Sequence, residues 1–234
     1  MDRRQFTHVF GSSVGALLLA AHGHAQAVSL GNITNAEASS GFQALIEKGA
    51  LAAVGLLGKT DGFLGNDKVR IPLPKFLEDA AKLLKSMGQG KRVDELVTAM
   101  NRAAETAVPL ANDLLVGALK AMSMTDAKKI ISGGSTSVTE FFVQKTREPL
   151  SIKFLPVITQ ATEKVGLAEK YNRVAGQAAG LGLLKKEDAN IQVYVTSKTL
   201  DGLYFMIGEE EKKIRQDPIG TGSAILKKVF GALK

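Results

Sequence analysis

The chain has 234 residues, 30 of them basic and 23 acidic, with no cysteine and no tryptophan. Without cysteine there can be no disulfides, thiol nucleophiles or cysteine-ligated metals. The net charge of +7 comes without aromatic-basic interleaving or a recognisable nucleic-acid motif, so nucleic acid is not an expected partner.

The first 27 residues read as a cleaved export signal. A basic start is followed by a short apolar run and then by Ala25-Gln26-Ala27, the small-x-small pattern that signal peptidase recognises, so the mature chain is expected to begin at Val28. The run from Val14 to Ala21 is far shorter than the roughly 20 residues of a membrane span. Arg3 and Arg4, with Phe6 one residue beyond, resemble the twin-arginine signal. Asp2, Thr7 and His8 depart from its usual flanks, and general secretion stays open as the alternative route. The three histidines, His8, His22 and His24, all lie in this segment. Removing 27 of the 234 residues leaves 207 without histidine. That closes off histidine-based triads, histidine-ligated zinc or haem, and Glu-x-x-His di-iron sites. Neither a metal centre nor a cofactor is expected.

Residues 28–234 are expected to form one all-helical domain, since ~200 residues suffice for a single core that buries about 70% of the unfolded surface. Thr34-Asn35-Ala36-Glu37 has the form of a capping box, and apolar residues then recur at helical spacing as far as Leu57. Gly58 stands where a helix ends in a left-handed conformation. The end of this first helix runs into AVGLLGKT, residues 53–60, a loose spelling of a nucleotide-phosphate loop. A phosphate loop needs a strand before it and a helix after it, so that helix-start amides face the phosphates. Here a helix precedes, and DGFLGNDKVRIPLP follows, with Pro72 and Pro74 forcing Ile71 and Leu73 to be extended. Nucleotide binding is therefore not expected.

Pro74 opens a second helix with Phe76, Leu77, Ala80, Leu83, Leu84 and Met87 on one side, closed by Gly88. A long third helix starts near Lys91 and runs towards Met122, with Pro109 kinking or splitting it. Ser123 or Thr125 caps a short helix, and Ser137-Val138-Thr139-Glu140 reads as a capping box for another, interrupted at Pro149 and Pro156 and ending near Val165. Residues 166–187, rich in Gly and Ala, carry the weakest signal. A penultimate helix runs from about Asp188 to Arg215, and an amphipathic one follows Thr221 or Ser223, with Ile225, Leu226, Val229 and Phe230 on one face and lysines on the other. That last helix suits either docking on the bundle or weak contact with an anionic membrane.

The penultimate helix carries apolar side chains in nearly every direction, the pattern of a buried central helix near the C-terminus. Within it Lys198 and Asp201, three residues apart, fall in the sector of Tyr194 and Phe205, where burial would force them to pair. On the third helix Asn101 and Glu105 flank the apolar stripe, while Arg102 points away from it. Asn101, Glu105, Tyr194, Lys198 and Asp201 thus form a candidate polar pocket, able to bind a ligand or transfer protons, or else an internal network that fixes helix register. Glu209, Glu210 and Glu211 resemble a metal cluster only superficially, because adjacent glutamates diverge around a helix and pair with Lys212 and Lys213 one turn on.

The ordered blocks LGKTDGF, RIPLP, MNRAAE, MTDAKKIISGG, KTREPL, YVTSKTLDGLYFMIGEEEKKIRQDP and LKKVFG resemble the bacterial domain-of-unknown-function family 4197 (DUF4197) across essentially all of the mature chain. The resemblance implies an exported helical protein of no established activity, with no catalytic residues to carry over. Thr221 stands where that family is expected to have arginine. Together these readings give an all-α, single-domain irregular multi-helix bundle exported to the periplasm. It is expected to be a binding or structural component of the bacterial envelope, whose partner is a small ligand or an envelope component. The alternative is a carboxylate- and lysine-based hydrolase or isomerase working around Lys198 and Asp201.

Overall fold

In the computed structural model, which describes residues 35–182 and 189–217, the fold is all-α. The signal segment, Thr34 and the last amphipathic segment lie outside the described residues. The helices are α1 (Asn35–Leu57), α2 (Lys75–Ser86), α3 (Gly90–Ala107), α4 (Asn112–Lys120), α5 (Met124–Ser132), α6 (Ser137–Thr162), α7 (Gly166–Gly180) and α8 (Ile191–Gln216). Pro109 splits the long third helix as expected, because a 3-10 turn at Val108–Ala111 takes up the missing amide between α3 and α4. Ser123 caps α5 in a reciprocal box with Asp126, and the serine hydroxyl bond lowers the carboxyl pKa of that aspartate. Gly88, at φ 77°, closes α2.

α6 and α8 make the most extensive helix pair; α3, α4 and α5 also pack on α6, while α1, α3 and α7 pack on α8. Side chains of α8 are buried in almost every direction, among them Ile191, Val195, Leu200, Leu203 and Ile207. The expected central helix is present, and its neighbours dictate its apolar composition. The core continues through Phe142, Leu150, Phe154 and Ile158 of α6 and Leu96, Met100 and Ala104 of α3.

Three expectations about the helices are corrected. α6 runs unbroken through Pro149 and Pro156, because both prolines face solvent, where water can satisfy the carbonyls they leave unbonded. Gly58 is not left-handed; its amide still bonds to Val54 O at 2.8 Å, and a Cβ there would lie 2.8 Å from Pro109 Cγ. The left-handed residue of this turn is Asp61, at φ 64°. The apolar side read on α2 is only partly covered: Leu77 packs partly buried against the core, while Leu83 and Met87 are 62% and 63% exposed, because α2 packs chiefly on α3.

Candidate functional site

Residues 58–74 connect α1 to α2, and four side chains, Asn101, Arg102 and Glu105 of α3 and Tyr194 of α8, hold that connection onto the bundle. Asn101 and Glu105 are one turn apart on α3, so they face the connection together. Glu105 Oε1 accepts the backbone N–H groups of Phe63 at 3.0 Å and Leu64 at 3.1 Å. Its other oxygen accepts Arg102 Nη1 at 2.7 Å, and Arg102 reaches on to Asp61 at 2.8 Å. The Glu105 bond, ahead of the Asp61 contact, raises the pKa of Arg102. Arg102 therefore turns back along its own helix to guard the carboxylate.

Asn101 treats residue 71 as a neighbouring strand would. Its Oδ1 accepts Ile71 N at 2.8 Å and its Nδ2 donates to Ile71 O at 3.0 Å, while a further bond to Val97 O anchors the amide to its own helix. Burial alternates along residues 68–72, with Val69 and Ile71 buried and Lys68, Arg70 and Pro72 exposed, as a turn closed by Val69 N and Arg70 N on Asn66 O gives way to irregular chain. Tyr194 on α8 donates its hydroxyl to Pro72 O at 3.1 Å. α8 comes close at Gly202, where a Cβ would lie 2.7 Å from the Phe63 ring and 3.3 Å from Val69. The AVGLLGKT motif thus forms the end of a helix and a turn, with no strand before it.

A second clasp joins α8 to the start of α6. Glu211 accepts Val138 N and Thr139 N, both at 3.0 Å, and the Thr139 hydroxyl at 2.9 Å. Arg215 bonds Glu211, Ile130 O and Ser137 Oγ. The capping box read at Ser137 and Glu140 is therefore corrected. Ser137 Oγ turns to Ile130 O, Glu140 meets Thr136, and a carboxylate from another helix takes the free amides of α6. The glutamate run divides accordingly: Glu209 pairs with Lys212 and Glu210 with Lys213 as expected, whereas Glu211 turns inward and is 4% exposed.

Lys198 and Asp201 are not in the buried sector assigned to them, and this is the main correction to the candidate pocket. Their side chains are 43% and 46% exposed, and Phe205 is 42% exposed. Among the described residues no hydrogen bond or ion pair joins either of them to Asn101, which lies beneath Ile71, or to Glu105, which lies beneath Phe63 and Leu64. Helical projection places residues around an axis but says nothing about which sectors the neighbours leave open. Asp201 accepts Arg147 at 2.7 Å and Lys198 at 3.5 Å, and Lys198 stands over the Tyr194 ring at 5.9 Å. Arg147 lies over the Tyr204 ring at 5.9 Å. The Tyr204 hydroxyl meets Thr146 at 2.9 Å, and burial raises its pKa against that bond.

Beside this pair runs a groove of about 290 Å³, lined by Lys68, Arg70, Lys198, Asp201, Phe205 and the apolar floor of Val69, Ile71 and Gly202. A broader cleft of about 790 Å³ opens where the start of α3 faces the α6–α7 corner, but its rim is made of solvated ends such as Lys91, Arg92, Lys164 and Lys170. Among the described residues no three acidic side chains come together as a metal cluster would require. Sequence reasoning missed Glu211, Arg215 and Arg147. For Glu211 a signal existed: Leu200, Tyr204, Ile207, Glu211 and Ile214 form one stripe at helical spacing.

A family model described as protein of unknown function (DUF4197) matches residues 32–231. No curated protein matches the chain, and no solved structure does.

Proposed function

The chain belongs to the DUF4197 family, and from the use of its buried polar groups and its first 27 residues we propose that it is an exported, non-enzymatic binding or structural component of the bacterial envelope. The observation that carries this reading is the commitment of Asn101, Glu105 and Glu211, side chains that resemble catalytic groups, to backbone amides and carbonyls of distant segments. Glu105 commits three of the roughly four acceptor positions of a carboxylate in this way and Glu211 all of them, which ties both groups to the fold rather than to a substrate proton. No helix among the described residues is long and apolar enough to cross a membrane.

Sequencing the mature protein recovered from the periplasm should give Val28 as the first residue. Intact Met1 on protein from the soluble cytoplasm would overturn export, and Arg3→Lys with Arg4→Lys should block it only on the twin-arginine route. Native mass spectrometry of the same material should reveal a retained small ligand or envelope component. Residues 223–234 supply the proposed weak contact with anionic membranes as the lesser alternative to docking on the bundle. Deleting them should lower the melting temperature by several degrees and leave vesicle binding unchanged if they dock.

A second reading keeps the groove as a hydrolase or isomerase site, favoured by the open position of Lys198 and Asp201 beside it. Against it, both oxygens of Asp201 already face cations. Asp201→Asn abolishing turnover of any ester, amide or keto substrate by the purified protein would establish this reading in place of the first.

A further inference from the structure

The groove between residues 68–71 and α8 has an asymmetric charge balance. Asp201 is shared by Arg147 and Lys198, and nearby Glu209 is shared by Lys212 and Lys68 at 2.9 and 3.1 Å. Those bonds, Lys212 first, lower the Glu209 carboxyl pKa. Two carboxylates are thus matched by four cations, and Arg70, exposed on the groove wall, makes no ion pair among the described residues. Lys198 is held only loosely, at 3.5 Å from Asp201. A guanidinium free to present its fork and an ammonium that can swing from its partner make a seat for one oxyanion.

The rest of the groove is apolar. Val69 and Ile71 form the floor, Gly202 keeps the helix backbone low against them, and Phe205 stands half-exposed on the same open strip of α8 as Lys198 and Asp201. An isolated exposed aromatic needs no explanation, but one that closes an apolar floor opposite an unpaired guanidinium and a loosely held ammonium describes an amphiphilic ligand. At about 290 Å³ the groove lies near the lower end of the ~300–1,000 Å³ that hold small molecules, so it fits one headgroup and a short body.

We propose that this groove binds a small anionic amphiphile, with a carboxylate or phosphate monoester between Arg70 and Lys198 and an apolar body across Val69, Ile71 and Phe205. The proposal rests on the reading of the protein as a binding component and names the ligand chemistry. Its test is calorimetric titration of the full mature chain with octanoate, octyl phosphate, 1-octanol, inorganic phosphate and phosphatidylglycerol vesicles, alongside amide NMR shifts at Gly202. The octyl anions should bind saturably and move the Gly202 amide, with octanol and inorganic phosphate at least about tenfold weaker. Arg70→Gln should weaken octanoate about tenfold and Phe205→Ser several-fold, while Lys170→Gln in the other cleft should leave it unchanged.

Because Arg70 and Phe205 are exposed, both variants should keep the parent melting temperature; should one not, the other and the Gly202 shift decide. Several results would overturn the proposal: no saturable binding of either octyl anion, inorganic phosphate binding as well as they do, or equal losses in the Arg70 and Lys170 variants. Binding to vesicles alone would assign the anion affinity to a membrane surface and overturn it too. Export and ligand retention are read from native periplasmic material, so an empty groove on an exported, ligand-carrying protein would refute this proposal and leave the broader reading standing.

Discussion

Glu105 on α3 and Glu211 on α8 are built alike and sheltered differently. Each accepts two backbone N–H groups from a segment distant in sequence, and each is held by an arginine within one turn on its own helix. Arg102, beside Glu105, is 38% exposed and shared with the solvated Asp61; Arg215, beside Glu211, is 16% exposed and spreads its donors over Ile130 O and Ser137 Oγ as well. The comparison separates two consequences of one device. Where the arginine is wet, water replaces whatever is lost, and the carboxylate mainly organises a loop. Where the arginine is dry, the carboxylate holds two helices together, and its loss strands groups that nothing else can reach.

The largest expected effect is therefore Glu211→Ala, which leaves two amides of α6 without their acceptor and takes the carboxylate away from Arg215. It should cost about 3–5 kcal/mol in urea melts. Glu105→Ala should cost less, about 1–3 kcal/mol, because its effect is confined to the amides of Phe63 and Leu64. Hydrogen exchange would sharpen the contrast: Glu105→Ala should speed exchange at residues 63 and 64 while 138 and 139 stay protected. Equal costs for the two alanine variants, or loss of protection at both places from either one, would break the comparison.

Smaller effects belong to the open surface. Lys198→Met alone and Lys198→Met with Asp201→Leu should each change stability by no more than about 0.5 kcal/mol, because both side chains are nearly half exposed. A single variant much worse than the double would return the pair to a dry environment. The smallest effect is alkaline. Tyr204 has its pKa raised in the fold, chiefly by burial. As pH rises through the ordinary tyrosine range near ~10, the unfolded chain loses this proton first and the folded state loses stability. Urea midpoints should therefore fall more steeply there than in Tyr204→Phe, once the Thr146 bond lost in that variant is subtracted at neutral pH.

Much of the fold was legible because periodicity and end signals agree. Leu57, Gly88, Pro109 and Ser123 mark boundaries that the structure places at or next to those residues. Asn101 and Glu105 were legible as polar residues flanking an apolar stripe, and Tyr194 as their neighbour in burial. What could not be read is where each polar group finds its partner. The run Glu209–Glu210–Glu211 is three identical letters, two partly exposed and one buried, and only the arrival of α6 distinguishes the third. Lys198 and Asp201 illustrate the reverse error. A helix with apolar residues all round implies burial, yet its neighbours leave a gap beside residues 198, 201 and 205, and sequence spacing contains no information about gaps.

Asn101 has a consequence for solubility. After the turn at residues 67–69, residues 70–74 run without helix or sheet, and an apolar segment with open backbone edges invites pairing with another chain. One edge is closed at Ile71 by the Asn101 amide. On the other, Arg70 N bonds Asn66 O, Pro72 has no N–H to offer, and its carbonyl is taken by Tyr194. A helix side chain thus does the capping that a neighbouring strand would do. Asn101→Leu, close to the same size, uncovers Ile71 and should give thioflavin-binding aggregates on gentle warming, at concentrations where Glu105→Ala stays dispersed. The amide on α3 guards the chain against its own copies.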